Sequence, residues 1–226
     1  MTKIFLDAGH GGQDPGALGN GLKEKDLNLT MAKKVGEILT NEYENVTVLY
    51  SRTTDKTLSL KERTDMANKA NVNYFFSIHV NAGGGTGYED YVYNGKIQST
   101  TESNRTTIHN EVVKVLNKYG IKNRGKKKAN FHVLRETKMP AMLVETLFID
   151  NVNDAKVLKN QSFINDISRA YATGIAKALR LKEKPKPKQT GKLYKVQVGA
   201  FSKRENAEKL LKELKTKGFD GFIKIE

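Results

Sequence analysis

Three apolar runs each lead into a residue that can bind a metal or move a proton, and this constrains the chain more than any other feature. Ile4-Phe5-Leu6-Asp7-Ala8 runs into Gly9-His10-Gly11-Gly12. Tyr74-Phe75-Phe76-Ser77-Ile78 runs into His79-Val80-Asn81-Ala82, and Ala141-Met142-Leu143-Val144 into Glu145. Glu24 stands in Gly21-Leu22-Lys23-Glu24-Lys25, just before a helical pattern. Strand ends gather at one edge of a parallel sheet, where α/β folds place their sites. His, Glu and His can hold a zinc ion and leave its fourth position open to water. A further glutamate can then serve as general base. The pattern reads as a metal-dependent hydrolase.

Taken singly, each residue has a plainer reading. Glycines around His10 permit close backbone approach and positive φ, which suits a metal-ligand loop, a phosphate-binding loop or an ordinary turn. His79 alone fits a hydrogen-bonded core histidine, and Glu24 alone fits a surface glutamate at a helix start. A carboxylate at Glu145 is costly unless it is paired or working. It can partner a buried arginine, Arg63 or Arg135, or have its pKa raised by burial to a value useful for proton transfer. His109 lies in a helical stretch and is expected to be solvated.

The ordered set Asp7-x-Gly9-His10-Gly11-Gly12, Gly21-Leu22-x-Glu24, Ser77-Ile78-His79-x-Asn81-Ala82 and Pro140-Ala141-x-Leu143-Val144-Glu145 resembles the zinc-dependent N-acetylmuramoyl-L-alanine amidases of the amidase-3 type. The resemblance covers roughly residues 2–180. It implies one zinc ion held by His10, Glu24 and His79, with Glu145 as the catalytic glutamate. It also implies the bond cut: the amide from the lactyl group of N-acetylmuramic acid to L-alanine in peptidoglycan. Asp7 or Asp14 is expected to orient His10 through its other ring nitrogen. Asn81 is a candidate for substrate contact or for fixing the loop after His79, Arg124 for lining the substrate groove, and His132 for a place near the metal. Arg63 matches a family arginine and is expected to be structural. The family usually has proline at Ala8. It has glycine at Leu147, so the leucine is expected to narrow the space beside the base.

The chain has 226 residues, room for one substantial α/β domain and a small appendage. A mostly parallel sheet flanked by helices is expected over residues 1–181, from alternating strand and helix patterns. Strands are expected at residues 3–7, 46–50, 74–79 and 142–147, with one at 87–93 nearer an edge and a short one at 132–135. Helices are expected around Leu27, Met31, Val35, Ile38 and Leu39, and over 58–70, 107–119, 153–158 and 163–179. Residues 122–128 are expected to be a basic loop. Residues 182–192, with two prolines and five lysines, read as an extended solvated linker.

Residues 193–226 read as a small βαβ appendage: a strand at 194–201, a helix at 203–217 capped by Ser202, and a strand at 219–225. Its apolar stripe is Ala207, Leu210, Leu211 and Leu214. Val196-Gln197-Val198-Gly199-Ala200-Phe201 and Ala207-Glu208 resemble half of a SPOR repeat, which implies peptidoglycan binding. Half a domain buries little apolar surface and is marginal alone, so the expectations are a homodimer through this repeat, docking on the catalytic domain, or a mostly unfolded segment.

The formal charge is +14, and residues 182–226 hold 13 Lys and Arg against 6 Asp and Glu. Such a balance favours polyanions, here anionic wall polymers, because no nucleic-acid-binding motif is present. No apolar run is long enough to span a membrane, so no membrane insertion is expected. Cysteine is absent, which excludes disulfides and thiolate zinc sites. Met-Thr-Lys followed at once by a core strand leaves no room for a secretory signal. Synthesis in the cytoplasm is then followed by release to the cell wall, through a holin-type pore if phage-encoded or by mother-cell lysis in sporulation. The short chain leans toward an endolysin. The competing readings are a non-catalytic wall-binding protein and a zinc peptidase acting on the stem peptide.

Overall fold

The computed structural model describes residues 1–185 and 196–225. The chain divides into two units, Met1–Pro185 and Lys186–Glu226. The first opens with β1 (Thr2–Ala8), a short hairpin of β2 (Leu18–Gly19) and β3 (Leu22–Lys23), then α1 (Glu24–Glu42), β4 (Val46–Tyr50), α2 (Leu60–Lys69) and β5 (Tyr74–Asn81). It continues with β6 (Tyr88–Tyr93), α3 (Ser99–Tyr119), β7 (Asn123–Ala129), α4 (His132–Arg135), β8 (Ala141–Phe148), α5 (Val152–Leu158) and α6 (Gln161–Ala178).

The main sheet has the order β4-β1-β5-β8-β6-β7. The first four strands are mutually parallel, as are β6 and β7, and the one antiparallel junction joins β8 to β6. Strands in the middle of such a sheet are covered on both faces, which is why β1, β5 and β8 read as apolar runs rather than alternating ones. On one face α1, α3 and α6 pack through Met31, Val35, Leu39, Ile108, Ile167 and Tyr171. On the other, α2 and α4 cover Phe5, Phe75 and Leu143 with Ala67, Val133 and Leu134. Each of these large side chains contributes about 1.5–3 kcal/mol by leaving water. Helix α2 starts at a full capping box, in which Ser59 accepts from Glu62 N and the Glu62 carboxylate accepts from Ser59 N.

Two neighbouring segments depart from the sequence reading for one reason. Residues 122–128 are not a loop: they contain the edge strand β7, and this places β6 inside the sheet rather than near its rim. An edge strand needs no apolar alternation, and lysines there discourage pairing with other chains, so β7 carries a loop's composition. Residues 132–135 form a helical turn, not a strand. Helix α3 begins at Ser99, eight residues before the expected start at 107, because its first turns bury the polar residues Thr101, Asn104 and Arg105.

The expected linker does not begin at 182. Lys182 O accepts from Glu44 N and Lys184 N donates to Glu42 O, both at 2.8 Å, so this stretch is pinned beside the end of α1. In the second unit, α7 (Arg204–Thr216) forms with Ala207, Leu210, Leu211 and Leu214 as its half-buried stripe. Its N-cap is Lys203 with no side-chain cap, so Ser202 does not serve. Residues 196–201 and 219–225 form no strand, and Val196, Phe222 and Ile225 are exposed. A strand needs a laddered neighbour to satisfy its backbone. Part of the expected first strand and most of the expected linker lie outside the described residues.

The pinned stretch gives a direct test. Truncation after Leu181 is expected to melt several degrees below truncation after Pro185, because two main-chain hydrogen bonds contribute about 1–3 kcal/mol and each kcal/mol shifts a domain of this size by about 2–4 °C. Equal midpoints in circular dichroism melts would show that residues 182–185 contribute nothing.

Candidate metal centre

The loop after β1 is held in a conformation that costs energy. His10 has φ +61°, the left-handed region, which costs a non-glycine residue about 1–2 kcal/mol and persists only where its surroundings fix it. Two arginines do so. Arg63 donates to Ala8 O at 2.7 Å and to His10 O at 2.8 Å. Arg52 donates to Ala8 O and to Gly9 O, each at 3.0 Å. Arg63 is buried and paired with buried Asp7 at 2.7 Å, and Asp7 also accepts from Ser77 Oγ at 2.7 Å. Burial pushes the Asp7 carboxyl up, but the Arg63 guanidinium outweighs it and holds it below the usual range. Asp7 therefore anchors the loop and does not orient His10. Asp14 does: its Oδ2 is 2.8 Å from His10 Nδ1.

Gly9 brings the loop against β5. A Cβ there would lie 2.2 Å from His79 Cε1, so no other residue fits without moving the imidazole. Glu24, the first residue of α1, is buried and reaches both histidines: Oε1 lies 3.2 Å from His10 Nε2 and 2.9 Å from His79 Nδ1. Its carboxylate is fixed by Ala17 N at 2.8 Å, Val80 N at 3.1 Å and Asn28 Nδ2 at 3.3 Å. Burial opposes ionisation of Glu24, but hydrogen bonds to His10 and His79 outweigh it and hold the carboxyl well below its ordinary range. Burial lowers the His10 imidazole, but Glu24 and then Asp14 outweigh it and bring its pKa up to about 9. The three ligand atoms lie within 4.8 Å of one another, so one divalent ion can bond all three while displacing the protons they share.

Glu145 is the register partner of His79 on the adjacent strand, and directly paired residues carry side chains on one face of a sheet. Neither Arg63 nor Arg135 pairs with it. Arg63 is committed to Asp7, and Arg135 to Glu136 at 2.7 Å and Asn130 at 2.6 Å. Its Oε2 is buried without a hydrogen-bond partner. Burial pushes its pKa up to about 7; His79 draws it down, and the Glu24 and Glu89 charges add to the rise. A cavity lined by His10, Asp14, Ser59, His79, His132 and Glu145 opens onto it. His132 thus stands at the site, with its Nε2 buried and unpartnered, but outside the ligand cluster.

The other candidates lie to one side. Asn81 Nδ2 donates to Glu89 Oε1 at 2.9 Å, and Arg124 Nε to Glu89 Oε2 at 2.5 Å. His109 is not solvated: it is buried, with Nδ1 2.5 Å from Asp90 Oδ2 and Nε2 3.1 Å from Asn123 Nδ2. Leu147 does not narrow the space beside Glu145. Its φ of +66° breaks the strand alternation, and the side chain lies in the larger core cluster with residues of α1, α3 and α6.

Sequence reasoning missed Arg52, Asn28 and Glu89. Arg52 had a readable signal, since it follows β4 just as His10 follows β1. Asn28 lies one helical turn after Glu24, on the same buried face of α1.

Glu145 also makes a prediction that is independent of turnover. Its folded-state pKa, about 7, lies above the ordinary 4.5. The cost of ionising it is therefore absent below pH 4.5 and fully present above pH 7, reaching about 3 kcal/mol at 1.36 kcal/mol per unit. Glu145→Gln is expected to stabilise the chelator-treated protein at pH 8 and to leave it nearly unchanged at pH 4.5. Equal effects at both values in denaturant titrations would contradict a buried, unpaired carboxyl. Arg63→Leu is expected to cost about 3–5 kcal/mol at neutral pH by leaving Asp7 buried and unpaired; a loss under 1 kcal/mol in the same titrations would refute the anchor.

Comparison with known proteins identifies the family of the chain. The family model described as N-acetylmuramoyl-L-alanine amidase matches residues 4–177, and the SPOR domain model matches residues 168–225, starting within α6. The sporulation-specific N-acetylmuramoyl-L-alanine amidase of Bacillus subtilis (strain 168) is 50% identical over 226 residues, 100% of this chain and 86% of that one. The endolysin of Bacillus phage SPP1 is 48% identical over 187 residues, 81% of this chain and 69% of its own. The solved catalytic domain of CwlV, an N-acetylmuramoyl-L-alanine amidase from Bacillus (Paenibacillus) polymyxa var. colistinus, superposes with a TM-score of 0.74 at 34% identity, covering 80% of this chain and all (100%) of that domain. The family match over most of the chain, on a mostly parallel sheet that carries a His-Glu-His cluster, places this protein in the N-acetylmuramoyl-L-alanine amidase family.

Proposed function

We propose that the protein hydrolyses the amide between the lactyl group of N-acetylmuramic acid and L-alanine in peptidoglycan, using zinc held by His10, Glu24 and His79 and Glu145 as general base. The observation that carries this reading is the unpartnered Glu145 carboxyl beside a His-Glu-His cluster. Two imidazoles and one carboxylate suit zinc, and three protein ligands are the number a catalytic site uses. When bound, zinc would acidify a water molecule and polarise the scissile carbonyl.

The chain's own groups do the rest. Asp14 fixes the His10 ring so that Nε2 faces the centre, and the main-chain donors of Ala17 and Val80 fix Glu24. Glu145 takes a proton from the attacking water as its oxygen adds to the carbonyl carbon. It returns that proton to the alanine nitrogen as the C–N bond breaks. Burial holds the Glu145 carboxyl above its ordinary range, which favours accepting and returning a proton. The products are a lactyl carboxylate and a peptide with free N-terminal alanine.

The SPOR-matched segment is assigned to holding the enzyme on the wall, aided by the basic charge of the last residues. The sporulation-specific relative spans the whole chain, whereas the endolysin spans 81% of it, which supports release by mother-cell lysis over a phage pore.

Digestion of purified Gram-positive peptidoglycan is expected to release free N-terminal alanine without new reducing ends, to stop with chelator and to resume with zinc. Glu145→Gln should retain zinc and lose about 10²–10⁴-fold in kcat, whereas His79→Ala should lose both metal and turnover. New amino ends other than alanine would mark a peptidase, and undiminished activity in Glu145→Gln would sink the mechanism.

A further inference from the structure

The antiparallel junction sets a row of polar side chains across one face of the sheet. His79 pairs with Glu145, and Glu145 pairs with Glu89 of β6. The next register partner, Gly125 of β7, has no side chain. Neighbouring strands are about 4.8 Å apart, so the row runs roughly 10 Å from the metal cluster to Glu89. An extended peptide advances about 3.3 Å per residue and would cover that distance in about three residues.

Glu89 is buried and fully committed. It accepts from Asn81 Nδ2 at 2.9 Å, Tyr91 OH at 2.6 Å and Arg124 Nε at 2.5 Å, and also from Lys127 Nζ. Arg124 is different. Only its Nε is bound, its guanidinium lies 4.9 Å over the Phe148 ring, and Nη1 and Nη2 carry no hydrogen bond to any described residue. Arg63, Arg52 and Arg105 instead spend their outer nitrogens on the fold: Arg63 and Arg52 clamp the loop, and Arg105 binds Lys127 O and Glu102. A planar cation held by one edge and one face, with its two-nitrogen fork unspent and half-exposed, is preorganised for a carboxylate. Lys127, half-exposed on the same anion, adds a second positive charge.

We propose that Arg124, held by Glu89 and supported by Lys127, forms a subsite for a carboxylate on the peptide arm of the substrate, about two strand spacings from the scissile bond. The proposal rests on the amidase reading for the identity of that peptide. Here Glu89 is a positioning residue and the Arg124 fork makes the contact. Arginine rather than lysine matters, because only the guanidinium can bind Glu89 through one nitrogen and present two more outward.

The test uses the full chain carrying Glu145→Gln and loaded with zinc, and two N-acetylmuramoyl tripeptides that differ only in having their peptide carboxylates free or converted to primary amides. By calorimetry the acid form is expected to bind at least about tenfold more tightly, the order expected of a charge-assisted fork. Adding Arg124→Ala should reduce that preference below about threefold. Arg124→Lys, which keeps an ion pair with Glu89, should give an intermediate value and serves if the alanine variant fails to fold. No binding of the acid form, no preference in the parent, or an unchanged preference in both Arg124 variants overturns the subsite. The amidase reading fails separately, if the wild-type enzyme releases no N-terminal alanine from either tripeptide.

Discussion

The site depends on the way two arginines grip the backbone between Ala8 and His10. That loop must leave β1, turn through a left-handed residue and present an imidazole to a helix N-terminus, all within three residues. Its carbonyls point inward, away from water, and a buried carbonyl without a donor costs about as much as a lost hydrogen bond. Arg63 and Arg52 supply donors to all three, and Asp7 neutralises the Arg63 guanidinium. A buried ion pair contributes little net stability against an apolar alternative. Its consequence here is geometric: it leaves His10 one place to be.

The same economy governs the far side of the centre. Leu147 occupies a position where the resembling family has glycine, and its φ of +66° shows why glycine suits that position. The chain must break alternation there so that Glu145 can face the cavity while residues just after it enter the opposite core. Leu147 bears the steric cost, and complete burial of its side chain offsets it. Asp154 fixes the exit, accepting from Phe148 N and Gly87 N at 2.9 Å and from Thr86 Oγ1 at 2.8 Å.

What could be read in the sequence follows from where each residue's partners lie. His10, His79 and Glu145 were legible because they follow apolar runs, and parallel strands gather such ends without further information. Glu24 was not legible on its own, since its partners come from residues far along the chain. His109 misled for that reason: its stretch looks like a surface helix, and only the fold brings Asp90 beneath it. β7 was hidden by the physics of edges, where lysine is favoured and apolar periodicity is absent. The second unit's stripe was legible as local helical periodicity. Its expected strands require a ladder partner that local pattern cannot supply.

The antiparallel pairing of β8 with β6 has a chemical consequence that a wholly parallel sheet would not force. It sets Glu89 directly opposite Glu145, and two carboxylates in adjacent register repel. The structure resolves the conflict asymmetrically. Burial raises Glu89, but Lys127, Tyr91 and Arg124 outweigh it and hold it at about 2, while Glu145 receives no partner and rises to about 7. Two like groups whose surroundings drive their pKa values apart take different roles. The paired one becomes a fixed anion that organises a cationic edge. The unpaired one is left able to exchange a proton near neutral pH. The inversion of β6 and β7 thus separates a paired carboxylate from an unpaired one along a single row of the sheet.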